Sequence, residues 1–320
     1  MLRVQIHFLL QNIMDINEQA AASAIPNRRK TPVFVHGSSQ RQYFAFPKFM
    51  MDYILKNPKS WKLWKKLIQS CKWFFDKNPI VVIPCLHFVN FHKINGSSTC
   101  STQHCNYVPD RPIELINAPF KLWITELLEI VDGGGATAKY LIPRIYKCDA
   151  ENMYLLNQLF TVDEFAFLTP KVLDPIFYAT RIFDKNKKLV SFEKILESLP
   201  QIQAIDYYFN RDGLDVTPDT VKKIVEMEHV KKFYRTALQN ISPNFDFDAF
   251  SNFMLENKQI SFVLAFYEET ITEEYRVKVK AFVEKLKTED YGNHRRPEIY
   301  FGDINLVNDN NGGEDGIINP

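Results

Sequence analysis

The chain has 320 residues, enough for one large domain or two and for a core that buries roughly three quarters of the unfolded surface. Hydrophobic residues make up 46% and charged residues 24%, which excludes a low-complexity or intrinsically disordered chain. With 39 basic against 38 acidic side chains, the global charge singles out no polyanion, so neither nucleic acid nor an anionic membrane is expected as partner.

In chain order, the apolar stretch from Val4 to Leu10 is interrupted by Gln5 and His7 and followed by acids, so it reads as no signal peptide. Residues 1–42 carry the basic Arg28-Arg29-Lys30 and no sustained period, and are expected to form a loose leader. A helical motif is expected over 43–79. Pro47 suits a first helical turn, and Met50, Met51, Tyr53, Ile54 and Leu55 recur at spacings of three and four. Asn57-Pro58 is expected to stop this helix and start a second, with Asn as cap and Pro at the first helical position. Trp61, Trp64, Leu67, Ile68 and Cys71 form the apolar stripe of the second helix, while Lys62, Lys65, Lys66 and Lys72 mostly face elsewhere.

A linking α/β segment is expected over 80–150. IVVIPCLHFVNF reads as a buried strand interrupted at Pro84, residues 93–112 as loop, and KLWITELLEIV as strand or helix. Gly133 to Gly135 would end that element, and ATAKYLIP is a poor helix start. Over 151–302 the pattern alternates: NMYLLNQ, PIFYATRIF, QAIDYYF, VKKFYRTAL, ISFVLAFYE and PEIYFGD read as strands separated by helices. Thr161 with Glu164 forms a capping box for the first of these helices. Strand starts fall near 153, 176, 203, 231, 260 and 298, mostly 23 to 29 residues apart, the range of strand-plus-helix repeats that bury their faces by stacking. The expected fold is α/β, an N-terminal helical motif followed by an irregular leucine-rich-repeat-like solenoid, although the leucine consensus is absent. A doubly wound sheet usually announces itself with a glycine-rich first turn, and there is no GxGxxG or P-loop. Residues 303–320 read as a disordered tail.

Little in the chain suggests chemistry. Five cysteines, Cys71, Cys85, Cys100, Cys105 and Cys148, are an odd number in a long chain, which favours a reducing compartment, cytoplasm or nucleus. His87, His92, Cys100, His104 and Cys105 fall within nineteen residues, yet their spacing is no CxxC knuckle, and His87 and His92 are five apart and so on opposite strand faces. An ordinary loop is expected there, with no metal. His36-Gly37-Ser38-Ser39 lacks any GxSxG partner, Glu273-Glu274 suits a helix start, and Asp309 to Gly316 lacks the closing Glu of a calcium loop. No catalytic residue and no cofactor is expected, and no window approaches the roughly 18 apolar residues of a membrane span.

Phe46-Pro47, the Met50/Met51 to Ile54-Leu55 spacing, Trp61, Leu67 and the Cys71-Lys72-Trp73 end resemble an F-box. Together with SFEKILESLPQIQAIDYYF and the strand-helix series, roughly residues 43–302 resemble the lineage-expanded nematode F-box and F-box-associated proteins of the F-box C type. The resemblance implies a non-catalytic substrate receptor of a Skp-cullin-F-box ubiquitin ligase. Phe46, Pro47, Met50, Met51, Ile54, Leu55, Trp61, Leu67 and Trp73 would contact or support the Skp-type adaptor, and through it a cullin. The solenoid would hold the target protein. The chain departs from the family pattern at Phe46, where Leu is usual, and at Lys48, where an acid is common. A protein-binding module with a degenerate F-box and no part in ubiquitination is the alternative.

Overall fold

The computed structural model describes residues 47–91, 94–100, 105, 111–115, 118–132, 137–267, 271–302 and 304–307. The chain divides into a unit of residues 1–43 and a unit of residues 44–320, and every described residue falls in the second. The expected leader, Phe46, His92, His104, Gly133 to Gly135 and all but four residues of the expected tail therefore lie outside the described residues.

Three short helices open the unit. Helix α1 (Lys48–Lys56) follows Pro47 and closes at Asn57, whose backbone N–H donates to the Tyr53 carbonyl. Helix α2 (Trp61–Ser70) starts later than expected, because Ser60 rather than Asn57 caps it: the Ser60 hydroxyl accepts from the Leu63 N–H at 3.4 Å. Cys71 is extended at φ −152, ψ 121 and separates α2 from α3 (Lys72–Lys77).

Strand β1 (Ile80–Phe91) follows at once, with a register shift between Ile83 and Cys85 where Pro84 cannot donate to the ladder. The expected loop over 93–112 instead contains β2 (Ile94–Thr99) and β3 (Arg111–Ile113), which extend the sheet antiparallel from β1. Their Gly, Ser, Thr and Arg residues lack the alternation that marks a strand in sequence. Strand β4 (Lys121–Asp132) resolves the helix-or-strand ambiguity by pairing parallel to β1 along its length. Helix α4 (Thr137–Leu141) occupies the unpromising ATAKYL segment, and β5 (Ile145–Cys148) pairs with the start of β4.

The alternation then follows the expected order: β6 (Asn152–Leu156), β7 (Leu159–Thr161), α5 (Val162–Leu168), β8 (Asp174–Tyr178), β9 (Arg181–Phe183), α6 (Phe192–Glu197), β10 (Ala204–Tyr208), α7 (Thr220–Glu226), β11 (Arg235–Gln239), α8 (Phe247–Glu256), β12 (Ser261–Phe266), α9 (Glu273–Thr288), β13 (Glu298–Phe301) and β14 (Ile304–Asn305). Two strand readings are corrected: VKKFYRTAL opens with a 3-10 turn at Val230–Lys232, so its strand starts at Arg235, and PIFYATRIF is broken by left-handed Ala179 into β8 and β9, which lie in different sheets. The Thr161–Glu164 capping box is present in full. Strand β14 pairs antiparallel with β13 inside the segment expected to be tail.

The protein is mixed α/β. Among the described residues twelve strands form one open sheet in the order β14-β13-β12-β11-β10-β8-β6-β4-β1-β2-β3, with β5 beside β4, while β7 and β9 pair separately. From β1 to β13 the neighbours are parallel, and β1, β4, β6, β8, β10, β11, β12 and β13 stand side by side in chain order. Crossovers of one hand, all stepping in one direction, put the connecting helices on one face. Accordingly α4 to α9 share a single core with Leu128, Leu155, Phe177, Tyr207, Leu238, Leu264 and Ile299. Because the strand order never reverses within this run, it has no switch-point crevice of the kind that binds ligands in doubly wound sheets. Helices α1 to α3 pack on the opposite face, over the first strands only. Among the described residues no helix is long and apolar enough to cross a membrane.

Candidate functional site

The residues expected to meet a partner separate by side of the helix. Met51 and Leu55, four apart, point inward and share a small core with Trp64, Phe74, Ile80 and Trp123. The Trp64 indole N–H donates to the Ile80 carbonyl at 3.1 Å, and its ring meets Phe74 edge-on. Ile54, Trp61, Leu67 and Trp73 are half-buried against this core. Pro47 and Met50 are exposed. Two exposed residues that the F-box likeness does not single out complete the outer side of α1: Phe49 at 72% exposure and Tyr53 at 54%, with Leu63 on α2 at 56%. The signal for them was the same three-and-four spacing, read on the other side of the helix. Between residues 46 and 79 eight lysines face two aspartates, and Lys59 and Lys62 lie over the Tyr53 and Trp61 rings.

A second constellation lies on the same sheet face. The irregularity after Ile83 turns Cys85 and His87 toward it, two apart on β1 and therefore side by side. Thr99 ends β2 opposite them and Cys100 follows it: the Thr99 hydroxyl donates to the Cys85 carbonyl at 2.6 Å, and the Cys100 N–H reaches Cys85 Sγ at 3.1 Å. Cys105 is held by its own N–H, donated to the Glu126 carboxylate at 2.9 Å. The result brings one ligand atom each of Cys85, His87, Cys100 and Cys105 within 4.8 Å of one another. None of the five cysteines is in a disulfide.

Glu129, the β4 neighbour of His87 in register, meets His87 Nδ1 at 2.5 Å. Cys85, its largest influence the Cys105 side chain, with His87 and Cys100 adding to it, is held down to about 3 against the upward push of burial. Burial opposes charge on His87, but Cys85 and Glu129 outweigh it and raise the imidazole to about 10. Spacing alone misjudges this cluster. Cys85 lies outside the run from His87 to Cys105, and a knuckle pattern has no bearing on side chains brought together from two strands and the chain beyond them.

The face of β6 to β13 opposite α4–α9 carries Tyr154, Ile176, Tyr178, Asp206, Tyr208 and Arg235. The Tyr178 and Tyr208 rings meet at a tilt of 37° with centroids 4.2 Å apart, Arg235 pairs with Asp206, and the Tyr234 hydroxyl donates to Asp174 at 2.5 Å. A cavity of about 440 Å³ at one end of these strands is lined by Tyr178, Arg181, Tyr208, Asn210 and Arg211, and its lining contains no nucleophile beside a base. Asn240, in one of the two sequons, is buried and donates its amide to the Phe209 carbonyl, so it is no glycan acceptor in the folded chain.

Comparison of the chain with family models, with curated proteins and with solved structures found no match.

Proposed function

We propose that the chain is a non-catalytic substrate receptor of a Skp-cullin-F-box ubiquitin ligase, working in the cytoplasm or nucleus. Helices α1 to α3 dock the Skp-type adaptor, and the strand-helix array, a leucine-rich-repeat-like solenoid, holds the target protein on the sheet face that α4–α9 leave clear. Catalysis belongs to other subunits. The observation that carries this reading is the outer side of α1. Phe49, Met50 and Tyr53 stay exposed immediately after Pro47, and large exposed apolar side chains set among lysines suit an acidic protein partner. Met51 and Leu55 act in this reading as the internal support that holds the docking side in place.

A pull-down of the full chain with a purified Skp-type adaptor tests it. Wild type should bind, and Phe49→Asp with Met50→Asp should lose at least tenfold in affinity while the unfolding midpoint stays unchanged. Wild-type binding no stronger than that of the double variant would remove the idea.

Two observations favour the second reading, a target-binding module without ubiquitin transfer. Lys48 stands where the F-box pattern has an acid, and Met51 and Leu55 are buried in the protein's own core. On that reading a target co-purifies with the array, but its cellular abundance is unchanged when the protein is depleted.

A further inference from the structure

Neither adaptor docking nor target binding uses the Cys85, His87, Cys100 and Cys105 cluster, and its dimensions are those of a metal cage. A tetrahedral Zn²⁺, with Zn–S of about 2.3 Å and Zn–N of about 2.0 Å, sets paired sulfurs about 3.8 Å apart and sulfur from nitrogen about 3.5 Å. Here the Cys100 and Cys105 sulfurs are 3.6 Å apart, and His87 Nε2 lies 3.4 Å from Cys105 Sγ and 3.9 Å from Cys100 Sγ. Cys85 Sγ completes the group within the same 4.8 Å span.

Two features outside the four donors fit the same conclusion. Glu129 takes His87 Nδ1, which fixes the ring and leaves Nε2 facing the sulfurs, the outer-shell arrangement of metal-binding histidines. The Cys100 backbone N–H points at Cys85 Sγ, where it would stabilise a thiolate.

We propose that Cys85, His87, Cys100 and Cys105 bind one Zn²⁺ in a closed site of three thiolates and one imidazole, fastening the chain after β2 to the β1–β4 pair. Four protein donors fill a tetrahedron and leave no position for water, so the site is structural rather than catalytic. Cys105, His87 and Glu129 taken alone form a thiol–imidazole–carboxylate row. That row would use one sulfur and leave Cys85 and Cys100, buried within the same 4.8 Å group, without a role, whereas a metal takes all four donors.

The full chain, purified without chelator, should carry one zinc per chain by elemental analysis. After metal removal, Co²⁺ should titrate it to a 1:1 end point with the absorption of a tetrahedral thiolate complex. Glu129→Gln should weaken Zn²⁺ about 10- to 100-fold. Cys105→Ser, which alters the half-buried ligand and spares the strands, should weaken it more, and Cys71→Ser and Cys148→Ser should bind as wild type. The proposal is overturned by a chain that is folded by circular dichroism and gives no saturable 1:1 cobalt spectrum. It is equally overturned if Cys105→Ser keeps wild-type affinity, or if one cluster sulfur alkylates rapidly in zinc-saturated protein.

Discussion

Asn157, Ala179, Asn240 and Gly302 each follow directly on a parallel strand, β6, β8, β11 and β13, and each has positive φ, at 54, 47, 53 and 55. A left-handed residue at the strand exit re-aims the chain, toward the next crossover after β6, β8 and β11 and into the β14 hairpin after β13, and Gly or Asn adopts it readily. Alanine does not, so Ala179→Gly should raise stability by about 1 kcal/mol in denaturant unfolding; a neutral or negative change would show that the corner is not strained. Glu193 is a second informative residue. Its buried carboxylate accepts from Ser191 and Thr220, each at 2.7 Å, with Lys223 at 3.6 Å. Burial pushes this acid up, but the two hydroxyls, its own backbone N–H and Lys223 prevail and hold it below its ordinary value. A depressed carboxylate contributes stability that is present above the unfolded value of about 4.3 and is lost as pH falls through the folded one. Glu193→Gln should therefore cost about 2 kcal/mol at pH 7, and the gap to wild type should narrow below pH 4. The Thr161–Glu164 box was legible in sequence because all its partners lie within one turn. Ser60 was not, since Asn57-Pro58 offered an equally good local start.

At the scale of elements, α1 and α2 have one side for the protein's own core and one for water. Trp64→Ala should cost about 3–5 kcal/mol, because it empties a buried site and leaves the Ile80 carbonyl without its indole donor. Phe49→Asp should shift stability by less than about 0.5 kcal/mol. If thermal unfolding showed both to be equally harmful, α1 would be internal on both sides. The periodicity identified these helices and most of the later strands, because an apolar stripe repeats wherever one face is buried. It could not say which large residues stay outside, since Phe49 and Met51 are equally apolar and only the packing partners Ile80 and Trp123 distinguish them. The Cys and His cluster was illegible for a related reason. Its members meet through the β1 irregularity and the β1–β2 pairing, neither of which is written in their spacing.

Across the whole molecule the parallel run grows by one neighbour at a time, so each unit leans on those beside it. Hydrogen exchange should find the amides of β8, β10 and β11, flanked on both sides, better protected than those of β14 at the edge. Uniform protection would show instead that the sheet opens as one. The monotonic order was readable from the regular strand starts, but the extension through β2 and β3 was not, because short polar strands leave no period. The joint between α3 and β1 is short and bonded on both sides. Asn78 and Pro79 alone separate Lys77 from Ile80, the Asn78 amide donates to the Leu55 carbonyl at 2.6 Å, and Trp64 grips the first strand residue. Anything seated on Phe49 is thereby held at a set bearing to the long sheet, like a tool clamped in a jig. On the proposed reading, the reach from adaptor to target is then a property of the skeleton, and lengthening that short splice with glycines would loosen the aim while leaving both binding surfaces intact.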